Sequence, residues 1–264
     1  MTFESMFDGV AEIYDRVRRP YPPRLFDDIF NYLGEHPQDP STVAAVEIGP
    51  GTGQATGPLL ARGVTVAAVE PGPRLAAFLR NKFAAEQRLM VINERFEDAP
   101  LPEGIADLVL AATSFHWVDS DVRYAKTLEL LRDGGVLAVI GTNQIASSVD
   151  RGYFTASQPI YQRYFPGEEP ADLPGDDVTP AEVGEVLENE EFEGVELFRY
   201  RWDQQYSTDE YADLVRSYSG TQQMPGELRE PFVGELAAFI DSDFDGNVVR
   251  PLVLTLLLAR KRAG

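Results

Sequence analysis

The residues with the clearest chemical use form a short acidic glycine segment, Glu47-Ile48-Gly49-Pro50-Gly51-Thr52-Gly53. Glycines alternate with other residues, and a carboxylate stands two positions before the first. Glycine reaches backbone conformations closed to other residues and lets a main chain approach a ligand with no Cβ in the way. An apolar run, Val43–Ile48, leads in, and a helical pattern from Gln54 to Arg62 leads out. A buried strand, a tight turn and a helix start are the arrangement that holds a nucleotide-like ligand. The dinucleotide fingerprint asks for G-x-G-x-x-G. Counted from Gly49 its last position is Gln54, and counted from Gly51 it is Thr56, so neither register fits.

Two further groups stand at strand ends. Glu70 closes the apolar run Val64–Val69. A carboxylate only accepts hydrogen bonds and can take two donors at once, which suits a diol. His116 follows the run Leu108–Ala112, at the strand edge where ligands bind in open α/β sheets. An imidazole with a free pKa of about 6.5 can serve as a base at neutral pH. Three roles stay open for it: base, pocket lining, or packing beside Trp117. The other histidine, His36, precedes Pro37 in a polar loop and reads as surface.

Composition narrows the chemistry. Cysteine is absent, which excludes disulfides, thiolate zinc sites and cysteine nucleophiles. With two histidines in all and no spaced cluster of acids, no metal site is expected. The formal charge is -20, from 43 acids against 23 bases. A field of that sign repels phosphate backbones, so nucleic acid is not an expected partner. No run of about eighteen apolar residues offers a membrane span. Met1–Tyr14 carries acids where a leader peptide needs a basic start, so a soluble cytoplasmic protein is expected.

The elements that must position these groups alternate in type. Val43–Ile48, Val64–Val69, Leu89–Ile92, Leu108–Ala112 and Gly135–Ile140 read as strands, whereas Leu75–Phe83 and Val122–Leu131 carry helical spacing. Such alternation implies a parallel sheet with right-handed crossovers. The 264 residues fit one large domain, or one with an inserted cap. Ala146–Glu191, rich in Pro, Gly, Asp and Glu and carrying several aromatics, is too long for an ordinary connection and reads as a helical cap. Arg151 and Arg163 within it either meet an anionic substrate or offset neighbouring acids. Val195–Trp202 and Val248–Ala259 read as later strands, the second with an irregular start at Pro251, and Thr208–Tyr218 and Glu227–Ile240 as helices.

The segment Glu47-x-Gly49-x-Gly51-x-Gly53 resembles the first motif of the class I S-adenosylmethionine-dependent methyltransferases. The resemblance continues through Val69-Glu70-Pro71, Glu94-Arg95-Phe96-Glu97-Asp98, the strand Ala106–Ala112 with Thr113-Ser114-Phe115-His116-Trp117, and Leu130–Leu137. The His-Trp pair and Tyr14-Asp15-Arg16-Val17-Arg18-Arg19-Pro20-Tyr21-Pro22 are similar to the small-molecule branch, methyltransferase type 11 or trans-aconitate methyltransferase-like. The likeness covers about 1–143 well and the C-terminal strands loosely.

The resemblance implies an α/β, doubly wound, Rossmann-like sheet of seven strands in the order 3-2-1-4-5-7-6. The last strand would be antiparallel, and a cap would be inserted over 144–190. It implies one methyltransferase domain over 1–264, with 1–34 as an N-terminal lid, and S-adenosylmethionine as cofactor, with S-adenosylhomocysteine as product. Glu47, Gly49, Gly51, Gly53, Glu70, Pro71, Ala112 and Thr113 would line the cofactor. Glu70 would take the ribose hydroxyls, and Tyr14 and Arg19 would face the methionine end. Phe96 with Glu97, or Glu97 with Asp98, would meet the adenine. His116 is the candidate catalytic residue.

The expected reaction is methyl transfer to an oxygen, nitrogen or carbon of a small molecule, by a monomer or homodimer. Competing readings are a cofactor-binding but non-catalytic or regulatory methyltransferase-like protein, and a nicotinamide-dependent oxidoreductase, which the glycine spacing disfavours.

Overall fold

The computed structural model describes residues 11–34, 40–167 and 172–264. His36, the first ten residues of the expected lid and residues 168–171 of the expected cap lie outside the described residues. In chain order the elements are α1 (Ala11–Val17), α2 (Pro23–Leu33), β1 (Ala44–Ile48), α3 (Thr56–Ala61), β2 (Thr65–Val69), α4 (Pro73–Lys82), β3 (Leu89–Ile92), β4 (Ala106–Ala112), α5 (Ser120–Leu130) and β5 (Leu131–Gln144). There follow α6 (Tyr153–Tyr164), α7 (Ala181–Glu188), β6 (Phe192–Ser207), α8 (Thr208–Arg216), α9 (Ser219–Gln223), α10 (Gly226–Asp243) and β7 (Asn247–Lys261).

The strands form a seven-stranded sheet in the order β3-β2-β1-β4-β5-β7-β6, with the last strand antiparallel. The first five pair in parallel, Val46 standing opposite Ala67 on one side and Val109 on the other. Central parallel strands are covered on both faces, so they read as unbroken apolar runs. Val46, Ile48, Val66, Ala68, Leu108 and Leu110 are all 3% exposed or less. The register slips between Ala106 and Leu108 opposite the start of β5, where Gly134 has φ 73°. This places the expected Asp133-Gly134-Gly135 turn within the strand rather than before it. β7 runs unbroken through Pro251, whose carbonyl accepts from Ile145 N at 3.0 Å.

The chain divides into two compact units. The sheet unit comprises 19–142, 179–200 and 255–264. The second unit, of the described residues, comprises 11–18, 143–167, 172–178 and 201–254. The expected cap over 144–190 is therefore divided. Its first part joins the second unit, while α7 belongs to the sheet unit, where Val186 is 1% exposed. There Glu185 takes the Tyr124 hydroxyl at 2.6 Å and pairs with Arg123.

The second unit has its own core, which is why 201–254 belongs with it. Leu214, Phe232 and Ile240 are each 0% exposed. Tyr153 packs edge-on against Tyr211 and Phe244, both at 5.2 Å. α8 opens with a capping box: Ser207 Oγ accepts from Glu210 N at 3.3 Å, and Glu210 Oε2 accepts from Ser207 N at 3.0 Å. The expected lid divides as well, α1 with Tyr14 falling in the second unit and Arg19 with α2 in the sheet unit.

Candidate active site

The turn after β1 is built as its glycines require. Gly49, Gly51 and Gly53 take φ of 61°, 57° and 91°, in the left-handed region that favours glycine. Their surroundings differ. A Cβ on Gly49 would lie 2.7 Å from Ser114 Cβ, and one on Gly53 would lie 2.6 Å from Phe83 Cε2 and 2.8 Å from Leu79 Cδ1. A Cβ on Gly51 would meet nothing within 4 Å. Gly49 and Gly53 thus serve close packing, and Gly51 presents bare backbone to open space.

Two carboxylates hold this turn. Glu70, 4% exposed, accepts from Gly51 N at 3.0 Å through Oε2 and from Gly72 N at 2.9 Å through Oε1. An ionised carboxylate accepts through both oxygens, which lets one side chain hold two backbone amides of the turn. Glu47, 1% exposed, accepts from Thr56 Oγ1 at 2.7 Å through Oε2, and its Oε1 is buried with no partner. Burial pushes its carboxyl up, the Thr56 hydrogen bond opposes this, and the nearby Glu70 charge adds to the rise, leaving it at about 7.

Two groups that brace the turn, Asn93 and Lys82, lie outside the motifs. Asn93 donates its amide to the carbonyls of Glu70 at 2.9 Å and Pro71 at 3.1 Å, fixing the backbone that aims the acid. Lys82 Nζ donates to Thr52 O at 2.9 Å. Ser114 Oγ donates to Ile48 O, tying the end of β4 to the end of β1. Thr113 has φ 55°, a strained backbone for a β-branched residue. Thr113 N donates to Ile140 O at 2.8 Å, and Oγ1 donates to Ala112 O at 2.7 Å. A signal for Asn93 existed, a lone amide one residue past a strand end. Nothing in the sequence marks the Thr113 backbone.

The remaining candidates are placed less uniformly. Glu97 Oε1 accepts from Arg95 Nη2 at 2.9 Å and from Asp119 N at 3.1 Å. Partial burial raises its pKa, but the backbone hydrogen bonds and Arg95 outweigh that and hold it below the usual range. Phe96 is 3% exposed in the sheet unit's core, with Lys126 Nζ 5.6 Å from its ring centre, leaving almost none of the ring to a ligand.

His116 is exposed, its ring 4.7 Å from that of Trp117. Local desolvation holds its pKa below the ordinary value; Glu182 opposes that and Arg123 reinforces it. The imidazole is therefore neutral at pH 7 and able to accept a proton. The described residues contain no group of three or more candidate metal ligands, and no helix among them is long and apolar enough to cross a membrane.

Three features suit an adenosyl cofactor: the open approach at Gly51, the Glu70 carboxylate bonded to its backbone, and the orphaned Glu47 oxygen. Comparison with known proteins agrees. A family model described as a methyltransferase domain matches residues 46–139. An uncharacterized methyltransferase of Geobacillus thermodenitrificans is 30% identical over 179 residues, covering 62% of this chain and 81% of that protein. One from Mycobacterium tuberculosis is 31% identical over 134 residues; the match spans about half of either chain, 51% of each.

Among solved structures, Haemonchus contortus phospholethanolamine N-methyltransferase 2, in complex with phosphomonomethylethanolamine and S-adenosylhomocysteine, matches with a TM-score of 0.57 at 12% identity. That match covers 100% of this chain and 61% of that one, a likeness of fold. With the glycine turn, the strand order and these relatives taken together, the chain belongs to the methyltransferase family.

Proposed function

We propose that the chain transfers a methyl group from S-adenosylmethionine to a small-molecule acceptor at oxygen, nitrogen or carbon. The observation that carries this reading is the Gly51 backbone, open to a ligand and bonded to the Glu70 carboxylate at 3.0 Å. The bound cofactor would supply a methyl carbon already activated on a sulfonium.

The chain's part is then binding, orientation and exclusion of water. Gly51 admits the cofactor, and Glu70 accepts from the ribose hydroxyls while its own backbone bonds keep it aimed. Glu97 takes the adenine side. Where the acceptor starts protonated, the neutral His116 accepts that proton at a ring nitrogen; a carboxylate acceptor needs no base. The relative from Haemonchus contortus, crystallised with S-adenosylhomocysteine, supports the choice of cofactor.

The test is calorimetric titration with S-adenosylmethionine, followed by turnover of methyl-labelled cofactor against a metabolite panel. Saturable binding with label transfer is expected. No binding at millimolar ligand would remove the reading, and tight binding with no transfer to any acceptor would leave a non-catalytic binding protein.

A further inference from the structure

Arg151 and Arg163 are both paired with acids of the second unit, to Asp245 at 3.2 Å and Glu235 at 2.5 Å. Among the described residues three other arginines of that unit are not, and one of them, Arg229, is spent on the backbone carbonyls of Thr221, Gln222 and Met224. Arg18 and Arg250 have no carboxylate partner among the described residues. Arg250 directs Nε and Nη2 at one neutral acceptor, Gln144 Oε1, at 3.1 and 2.8 Å. Arg18 Nε is buried with no partner at all. Both guanidiniums lie against one ring: the Tyr218 centre is 5.6 Å from Arg18 Cζ and 5.7 Å from Arg250 Cζ.

The Tyr218 hydroxyl is likewise buried and has no hydrogen-bond partner among the described residues. Tyr153 packs on Tyr211 at 5.2 Å, and Tyr206, Tyr211 and Tyr218 lie within electrostatic reach of Arg250.

Each orphan here is a donor or can be one: a guanidinium never accepts, and a phenol donates. A ring face recovers only part of a cation's lost hydration. Two cations without a counter-charge among the described residues, in a chain whose net charge is -20, leave a gap that acceptor atoms fill. The planar fork of a guanidinium matches a carboxylate, and the surrounding phenol rings suit an apolar or aromatic body. We propose that Arg18, Arg250 and Tyr218 form a binding site for a small organic carboxylate. The site belongs to the second unit and goes beyond the methyltransferase reading.

Titration calorimetry on the full chain tests it, with acetate, benzoate and citrate as probes and benzamide as the uncharged counterpart of benzoate. At least one carboxylate should saturate in the millimolar range or below, and benzamide should not. Arg250→Gln and Tyr218→Phe should each weaken that binding at least about tenfold. The Tyr218→Phe melting temperature should be unchanged or higher, because a buried unpaired hydroxyl is gone.

Saturation with S-adenosylhomocysteine should leave carboxylate affinity in place. Mutual exclusion would assign the cluster to the cofactor's own carboxylate and overturn a separate carboxylate site. So would equal benzamide binding, unchanged affinity in both variants, or no binding of any carboxylate. Carboxylate binding without any S-adenosylhomocysteine binding would keep this site and remove the methyltransferase reading.

Discussion

Raising the pH probes the interior of the glycine turn through Glu47. That residue is 1% exposed, with one oxygen on Thr56 and the other unpartnered. Its carboxyl stands at about 7 in the folded chain against an ordinary 4.5, chiefly through burial. The folded state therefore keeps a proton that the unfolded chain gives up. For an acid shifted upward, the group's contribution is most favourable below about pH 4.5, declines as pH rises to about 7, and is level above that. At about 1.4 kcal/mol per unit, the decline amounts to about 3 kcal/mol.

Glu47→Gln keeps the shape and an acceptor for Thr56 but cannot ionise. Urea unfolding of both chains at intervals from about pH 5 to about pH 8 gives two stability profiles whose difference isolates this residue. The wild type should lose most of those ~3 kcal/mol relative to the variant across that range, and Glu70→Gln should shrink the loss by removing a like charge. Parallel profiles for wild type and Glu47→Gln would refute the reasoning.

Further outcomes follow from the same geometry. Gly51→Ala should fold at a cost of about 1–2 kcal/mol for its left-handed backbone and lose cofactor affinity. Gly53→Ala, whose Cβ meets Phe83 and Leu79, should lose clearly more stability in the same melts. Glu70→Ala should weaken adenosyl binding by roughly 1–3 kcal/mol in calorimetry, through the ribose bonds and the loss of its hold on Gly51 and Gly72. Thr113→Asn, a residue better suited to positive φ, should stabilise the chain by about 1 kcal/mol. Arg151→Ala should change stability by no more than about 0.5 kcal/mol, because its pair with Asp245 is exposed on both sides.

The parallel half of the sheet was legible because each central strand is an unbroken apolar run between turn signals, and Glu47 and Glu70 close two of them. Strand ends were less so: β6 extends from Phe192 to Ser207, well past the apolar stretch at Val195–Trp202, because half-exposed positions alternate along it. The division into two units was hidden, since it depends on residues far apart in sequence sharing one aromatic core. Tyr153 finds Tyr211, and Gln144 finds Arg250, and no local pattern announces either pair. The burial of Phe96 was hidden for the same reason. Lys126 lies over its ring, a pairing that no local pattern announces.

Calorimetric titration of S-adenosylhomocysteine into the wild type and Gly51→Val, with melting curves for both, tests the central claim most directly. The wild type should bind one equivalent. The variant should still unfold cooperatively, since a Cβ at Gly51 meets nothing within 4 Å, yet show no binding heat. No wild-type binding at millimolar ligand, or equal affinity in a folded variant, would contradict the assignment of this turn to the cofactor.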